Sequence, residues 1–249
     1  MSSLAFLLLL LIFVIPLTCI YLSYLPPIWL VQTISTSNPS IQFHIPTRKP
    51  ILALTIDDSP SQSTSAILEV LRANDVHATF FVIGSYIDGH EEILREVVRH
   101  GSELANHAMH DAPSWKLEIS ELREQILQTQ DKIEGIYRSV ASDVSKTSPR
   151  YFRPGSGFFT SRMLSLLHSL SYRLILGSMY PHDAQISLPS LNAWHVLHGA
   201  RAGGIIICHD RPWTPQMLRR VLPELRRRGL RVGSLTEALH WADGSDSNS

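Results

Sequence analysis

Ile51-Leu52-Ala53-Leu54-Thr55-Ile56-Asp57-Asp58-Ser59-Pro60 decides how the rest of this chain is read. The run Ile51–Ile56 is apolar except for Thr55, the composition of a buried strand. It ends abruptly on two adjacent carboxylates. Successive side chains of a regular strand point to opposite faces. Asp57 and Asp58 therefore share one site only if the chain leaves the strand there, and Ser59-Pro60 supplies a turn. The competing reading is an Asx turn opening the helix that begins near Ser63.

Working outward, short apolar runs alternate with longer amphipathic stretches. Strands are expected at Ile51–Ile56, Ala78–Ile83, Glu103–Ala105, Arg150–Phe152, Tyr172–Leu176, Ile205–Cys208 and Leu230–Val232. Helices are expected at Ser65–Ala73, Glu91–His100, Glu118–Tyr137, Ser161–Leu170, Met217–Arg228 and Leu235–Leu239. Ile67, Leu68 and Leu71, or Ile119, Leu122, Ile126, Ile133 and Ile136, make the helical stripes. Such alternation predicts an α/β domain of parallel strands. Its length suits a small, distorted or incomplete (β/α) barrel. The polar clusters follow strand-like runs, and in a barrel those positions converge at the C-terminal mouth.

The second cluster is Asn106-His107-Ala108-Met109-His110-Asp111. A helical turn or a tight loop would set His107 and His110 on one side. A carboxylate and two imidazoles leave open positions on a small divalent ion, and a neighbouring carboxylate can then take a proton from bound water. That inventory is a hydrolase's. His195-Val196-Leu197-His198 repeats the spacing without a companion carboxylate and reads as packing or surface. Three further clusters follow strands: Arg153-Pro154-Gly155-Ser156-Gly157, Tyr180-Pro181-His182-Asp183 and Cys208-His209-Asp210. Taken singly they read as a surface arginine, a loop aspartate and a satisfied histidine.

The first 47 residues carry no Lys, Arg, Asp or Glu, and Leu4 to Leu22 is nearly unbroken Leu, Ile, Phe and Val. That length suits a bilayer span. A cleaved signal peptide competes, but no basic residue precedes the run and no small-x-small site follows it. The expected organisation is a membrane anchor (or signal peptide) over 1–31, a Ser/Thr/Pro/Asn-rich linker over 32–50, a catalytic domain over 51–240 and a disordered tail over 241–249. The domain is placed on the exoplasmic or lumenal side, or secreted if the segment is cleaved. Lys and Arg total 22 against 22 Asp and Glu, so no electrostatic case exists for nucleic acid. Cys19 and Cys208 are too far apart in role, anchor and core, to form a disulfide. The arginines between Arg219 and Arg231 read as the solvated face of a helix. Oligomeric state is not encoded in these patterns.

The ordered clusters resemble the polysaccharide deacetylase family, also called the NodB-homology domain or carbohydrate esterase family 4, in its chitin-deacetylase-like branch. The resemblance covers Ile51 to Leu239. Thr55-Ile56-Asp57-Asp58-Ser59-Pro60 is similar to the family's Thr-Phe-Asp-Asp-Gly-Pro. It implies Asp57 as general base and Asp58 as metal ligand, with His107 and His110 as the other two ligands. Arg153 is similar to the arginine that pairs with the base. Ser156 stands where a tyrosine's backbone N–H lines the oxyanion hole. Asp183 matches the aspartate that orients the catalytic acid, and His209 matches that acid. Ser59 replaces a glycine, Gly155-Ser156 a Pro-Tyr, Ala184 a tryptophan and Ile207 a leucine. The resemblance implies a divalent metal, Zn2+ by default with Co2+ or Mn2+ also suited, a carbohydrate substrate, and removal of N-acetyl groups from a chitin-like polymer. The alternatives are an inactive membrane-tethered glycan binder and a deacylase of another small substrate.

Overall fold

The structure is a computed structural model and describes residues 10–18, 27–37, 40–141 and 147–244. Residues 10–18 form an exposed helix (α1), and α2 spans Ile28–Ser37. Most of the expected anchor, residues 1–9 and 19–26, lies outside the described residues. Among those described, no helix is long and apolar enough to cross a membrane.

Eight strands follow: β1 (Ile41–Gln42), β2 (Ile51–Ser59), β3 (Thr79–Val82), β4 (Glu103–Asn106), β5 (Tyr151–Phe152), β6 (Arg173–Ile175), β7 (Ile205–His209) and β8 (Arg231–Gly233). The helices that alternate with them are α3 (Thr64–Asn74), α4 (Glu91–Arg99), α5 (Ile119–Ser139), α6 (Ser161–Ser169), α7 (Pro189–Gly199), α8 (Thr214–Arg227) and α9 (Leu235–Asp243). The sheet order is β1-β6-β5-β4-β3-β2-β7, with β8 against β2, and every pairing is parallel. Past β6, Ser178 and Met179 bond the Ile205 carbonyl and Met179 bridges Ile206, while Ile45, just past β1, bonds Gly203. These few bonds draw the sheet's ends together without a full ladder. The result is the incomplete (β/α) barrel that the alternation predicts.

Side-chain alternation sorts the strands into two faces. Leu52, Leu54, Ile56, Phe80, Val82, Leu104, Ile206 and Cys208 pack outward against the helices. Ile51, Ala53, Phe81, Ala105, Ile175 and Ile205 form the interior, and Leu235, Ala238 and Trp241 of α9 close its lower end. Each large side chain so buried contributes about 2 kcal/mol. Two elements escape the sequence reading. β1 lies inside the expected 32–50 linker, and Ile45 there is fully buried. In α7 the inward face carries Asn192 and His195, both buried, so its apolar stripe is broken. At the other end α9 continues through Asp243 with Trp241 buried, past the expected domain limit at 240. Residues 245–249 of the expected tail are outside those described.

α9 is anchored from below the barrel. Thr79 Oγ1 donates to Glu103 at 2.6 Å, and Glu103 accepts from the Thr236 amide at 3.1 Å. Ser234 and Glu237 complete a capping box. Burial raises the Glu103 pKa above its ordinary 4.5, against the pull of the Thr236 and Thr79 hydrogen bonds. The folded state then holds this proton more tightly than the unfolded one. Stability from it is full below pH 4.5 and is lost as pH rises through the folded pKa. Glu103→Gln keeps the acceptor without the charge. Thermal unfolding should show the variant gaining on the parent above that pH, on the order of 1 kcal/mol per unit of elevation, and no gain at lower pH.

Candidate active site

The inward face that is dry at Ile51 and Ala53 continues upward as Thr55 and Asp57. The same alternation carries β4 from Ala105 to His107, β5 from Tyr151 to Arg153, and β7 from Ile205 through Ile207 to His209. Asp57 and His209 are register partners on β2 and β7. Asp57, His107, Arg153, Ile207 and His209 line one cleft of about 600 Å³ at the C-terminal ends of the strands.

Asp58 has the wrong parity and reaches the cleft by a different device. β2 runs on through Ser59, but its register against β3 shifts between Ile56 and Ser59, and Asp58 adopts φ 60°. The chain therefore does not leave the strand at Ser59-Pro60, as the sequence suggests. A bulge inside the strand turns the second carboxylate inward. Ser59-Pro60 is a cis peptide.

Arg153 is 2% exposed and pairs with Asp57 Oδ1 through Nη1. The same Nη1 reaches Thr55 Oγ1 at 2.8 Å, Nε donates to the Ile175 carbonyl at 3.2 Å, and the guanidinium lies 4.1 Å over the Phe81 ring. The Arg153 carbonyl accepts from His107 Nδ1 at 2.6 Å. That bond fixes the ring and aims Nε2 at Asp58 Oδ1, 3.4 Å away. Asp58 Oδ2 accepts from Arg211 at 2.7 Å. Burial opposes ionisation of Asp58, but His107, His209 and Arg211 outweigh it and bring its pKa down to about 2. Burial also opposes protonation of His107, and Asp58 and Asp57 override that, so its pKa is raised.

The His209 side of the cleft is equally built. Asp183, fully buried, accepts from His209 Nδ1 at 2.9 Å and from the His209 amide at 2.7 Å. Desolvation disfavours the His209 imidazolium, yet the Asp183 bond and the charges of Asp183, Asp57 and Asp58 raise its pKa above 6.5. Trp213 Nε1 holds the Asp183 carbonyl at 2.9 Å. Thus an indole from the loop after β7 braces the turn that carries Asp183. Ser156 lines the opposite wall from a left-handed turn, φ 63°. Its neighbour Gly155 is required by close approach, since a Cβ there would lie 2.1 Å from the Ala112 carbonyl oxygen.

The expected ligand His110 is not brought in. It is exposed and absent from the cleft lining, because Ala108 takes φ 65°, the chain bends over 109–112 and no helical turn forms. Asp111 lines the cleft in its stead. Asp58 and His107, with Nε2 freed by its Nδ1 bond, suit a divalent cation, but among the described residues no three such side chains are arranged to hold one. His195 is buried beside His182 at 5.7 Å between ring centroids, and His198 packs on Trp194 at 4.2 Å, so that pair packs as its sequence suggests. Arg211 and Trp213 escape the sequence reading. Their only signal is position in the loop after β7, which a mouth-directed reading of every such loop would have flagged.

The polysaccharide deacetylase family model matches residues 44–175. A peptidoglycan-N-acetylglucosamine deacetylase of Bacillus cereus is 26% identical over 208 residues, 81% of this chain and 93% of its own. A chitooligosaccharide deacetylase of Bradyrhizobium is 28% identical over 200 residues, covering 74% of this chain and 88% of the relative. Among solved structures, a mutant of a CE4 family pseudoenzyme with restored enzymatic activity superposes at TM-score 0.73 with 26% identity, covering 81% of this chain and 71% of that one. A family 4 acetyl xylan esterase of Clostridium thermocellum in complex with a cobalt ion gives 0.69 and 28%, covering 79% and 93%. Fold, cleft and matched sequence agree: the chain belongs to the polysaccharide deacetylase family.

Proposed function

We propose that this chain is a hydrolase that removes N-acetyl groups from a chitin-like polysaccharide or oligosaccharide. The observation that carries the reading is the convergence of a base pair, Asp57–Arg153, and an acid pair, His209–Asp183, on one cleft. Two titratable groups held by different partners divide acid from base work. A divalent ion at Asp58 and His107, zinc by default, would supply Lewis acidity to the water and the acetyl carbonyl. Asp57 takes the proton of the attacking water. The Ser156 turn offers backbone N–H to the oxygen on which charge develops. His209 delivers its proton to the departing amine, and Asp183 fixes the ring in the tautomer that points Nε2 at the cleft.

The uncharged Leu4–Leu22 run supports an anchored chain with this domain on the exoplasmic or lumenal side. Alkaline carbonate washing of membranes should leave the full chain in the pellet and release a chain lacking residues 1–31. Release of both would remove the anchor.

A second reading is favoured by Arg211 on Asp58 and by the exposed His110: a fold that binds glycans with weak or no turnover. Acetate release from chitin oligomers separates the two. Turnover that stops with chelator and falls about 10²–10⁴-fold in Asp57→Asn and His209→Ala supports the enzyme. Oligomer binding with no acetate released supports the second reading. Undiminished turnover by Asp58→Ala would remove that residue from the metal site.

The raised pKa of His209 also fixes a pH signature. As the proton donor, His209 serves in its protonated form, so kcat/KM should fall on the alkaline side as it deprotonates. Asp183→Asn removes the main partner that raises this pKa. The alkaline limb should then move to lower pH, and an unmoved limb would place the acid elsewhere.

A further inference from the structure

We propose that Arg211 is a tethered cation that competes with the divalent ion for Asp58. This rests on the metal reading of the site. It adds a determinant of affinity from a residue to which no role has yet been assigned.

Asp58 is 7% exposed and has two oxygens to offer. Oδ1 faces His107 Nε2 at 3.4 Å, and Oδ2 is taken by the Arg211 guanidinium at 2.7 Å. A divalent ion shared by Asp58 and His107 would sit within a few ångströms of that guanidinium. Charges of like sign at that range, partly screened from water, repel strongly. The ion and Arg211 thus exclude one another, and Arg211 must withdraw for the ion to enter.

Arg211 is able to withdraw. Its side chain is 30% exposed, and its other hydrogen bond is a 3.4 Å contact to the neighbouring Asp210 carbonyl. Arg153 is the contrast: it bonds Thr55, Asp57 and Ile175 and is 3% exposed, so it is fixed. The backbone that carries Arg211 is fixed too. Asp210 accepts from Ser61 Oγ at 2.7 Å and Thr64 Oγ1 at 2.5 Å, and its amide bonds the Asp57 carbonyl at 2.8 Å. The arm therefore swings from a rigid root.

Apparent affinity scales with the fraction of molecules in which Asp58 is open. If about 90% are paired with Arg211, the ion binds about tenfold more weakly than it would otherwise. Salt should loosen this partly exposed pair and narrow the difference.

Calorimetric titration of the purified chain with cobalt chloride, at fixed pH and ionic strength, tests the idea. Arg211→Gln should bind the ion about tenfold more tightly than the parent, Arg211→Lys should fall between, and added sodium chloride should shrink the gap. Thermal unfolding checks that each variant is folded. If Arg211→Gln is not, the Arg211→Lys comparison and the salt series carry the test. Equal or weaker binding by the variants, or no binding by any form, overturns the proposal. Acetate release is read separately. Turnover by a parent whose Arg211→Gln variant binds no tighter sinks the competition but leaves deacetylation standing. Tighter binding without turnover in any form does the reverse.

Discussion

Arg153 ties the site to the fold. Its side chain touches Asp57 and Thr55 of β2, the Ile175 carbonyl of β6 and the Phe81 ring of β3, and its own carbonyl accepts from His107 at the end of β4. Residues of three strands meet on its guanidinium, and the residue after a fourth meets its carbonyl. Taking both members of a carboxylate–guanidinium pair out of water costs several kcal/mol per ion, and it is offset only where the remaining donors and acceptors are engaged. Here a hydroxyl, a carbonyl and an aromatic face engage Nη1, Nε and the plane of the guanidinium, while the buried Nη2 has no hydrogen-bond partner among the described residues. Loss of one partner alone leaves a buried charge, an effect of about 3–5 kcal/mol. A pair so placed contributes to positioning as much as to stability. Asp57 cannot rotate away without stranding the arginine, and the arginine's backbone sets the orientation of His107.

Above that layer the chain accepts local strain. Asp58, Ala108, Ser156 and His182 all take left-handed φ without being glycine, each at a cost of about 1–2 kcal/mol. Asp58 sits in the bulge near the end of β2 and the others in the segments after β4, β5 and β6, where the mouth is built. The dry layer below, from Ile51 to Ile205 with α9 beneath, supplies the stability that holds them. The bulge at Asp58 is the clearest case, since regular alternation would send that carboxylate among the outward core residues Ile56 and Val82.

This division explains what was legible in the chain. Strands such as Ile51–Ile56 and Ile205–Cys208 announce themselves because burial on both faces demands continuous apolar residues. The barrel followed from their alternation with helical stripes. α7 was hidden because Asn192, which donates to the Pro181 carbonyl at 3.0 Å, and His195 occupy its inner face. β1 was hidden because two residues carry no period. At the site, Asp57, Asp58, His107, Arg153, Ser156, Asp183 and His209 are expected from their order along the chain, and the structure brings them together. His110 is expected beside His107 because spacing alone presumes a helical or evenly curved turn, and the structure leaves it exposed and outside the cleft lining. The left-handed Ala108 breaks that presumption, and the adjacent Asp111 faces the cleft instead.

The fold by itself does not decide whether chemistry occurs. A similar barrel, superposing at TM-score 0.73, belongs to a pseudoenzyme whose activity a mutation restored. One scaffold of this kind therefore carries both an inactive and an active form. In this chain Asp57 is held by Arg153 and His209 by Asp183, so neither needs a bound ion to hold its place. Asp58 differs. Its two neighbours are the His107 imidazole at 3.4 Å and the Arg211 guanidinium at 2.7 Å, the latter on a side chain 30% exposed. On the competition proposed for Arg211, a divalent ion at Asp58 would turn that guanidinium outward. Asp57 and His209 are thus held in place by the fold's own side chains, whereas Asp58 is shared between His107 and a partly exposed Arg211.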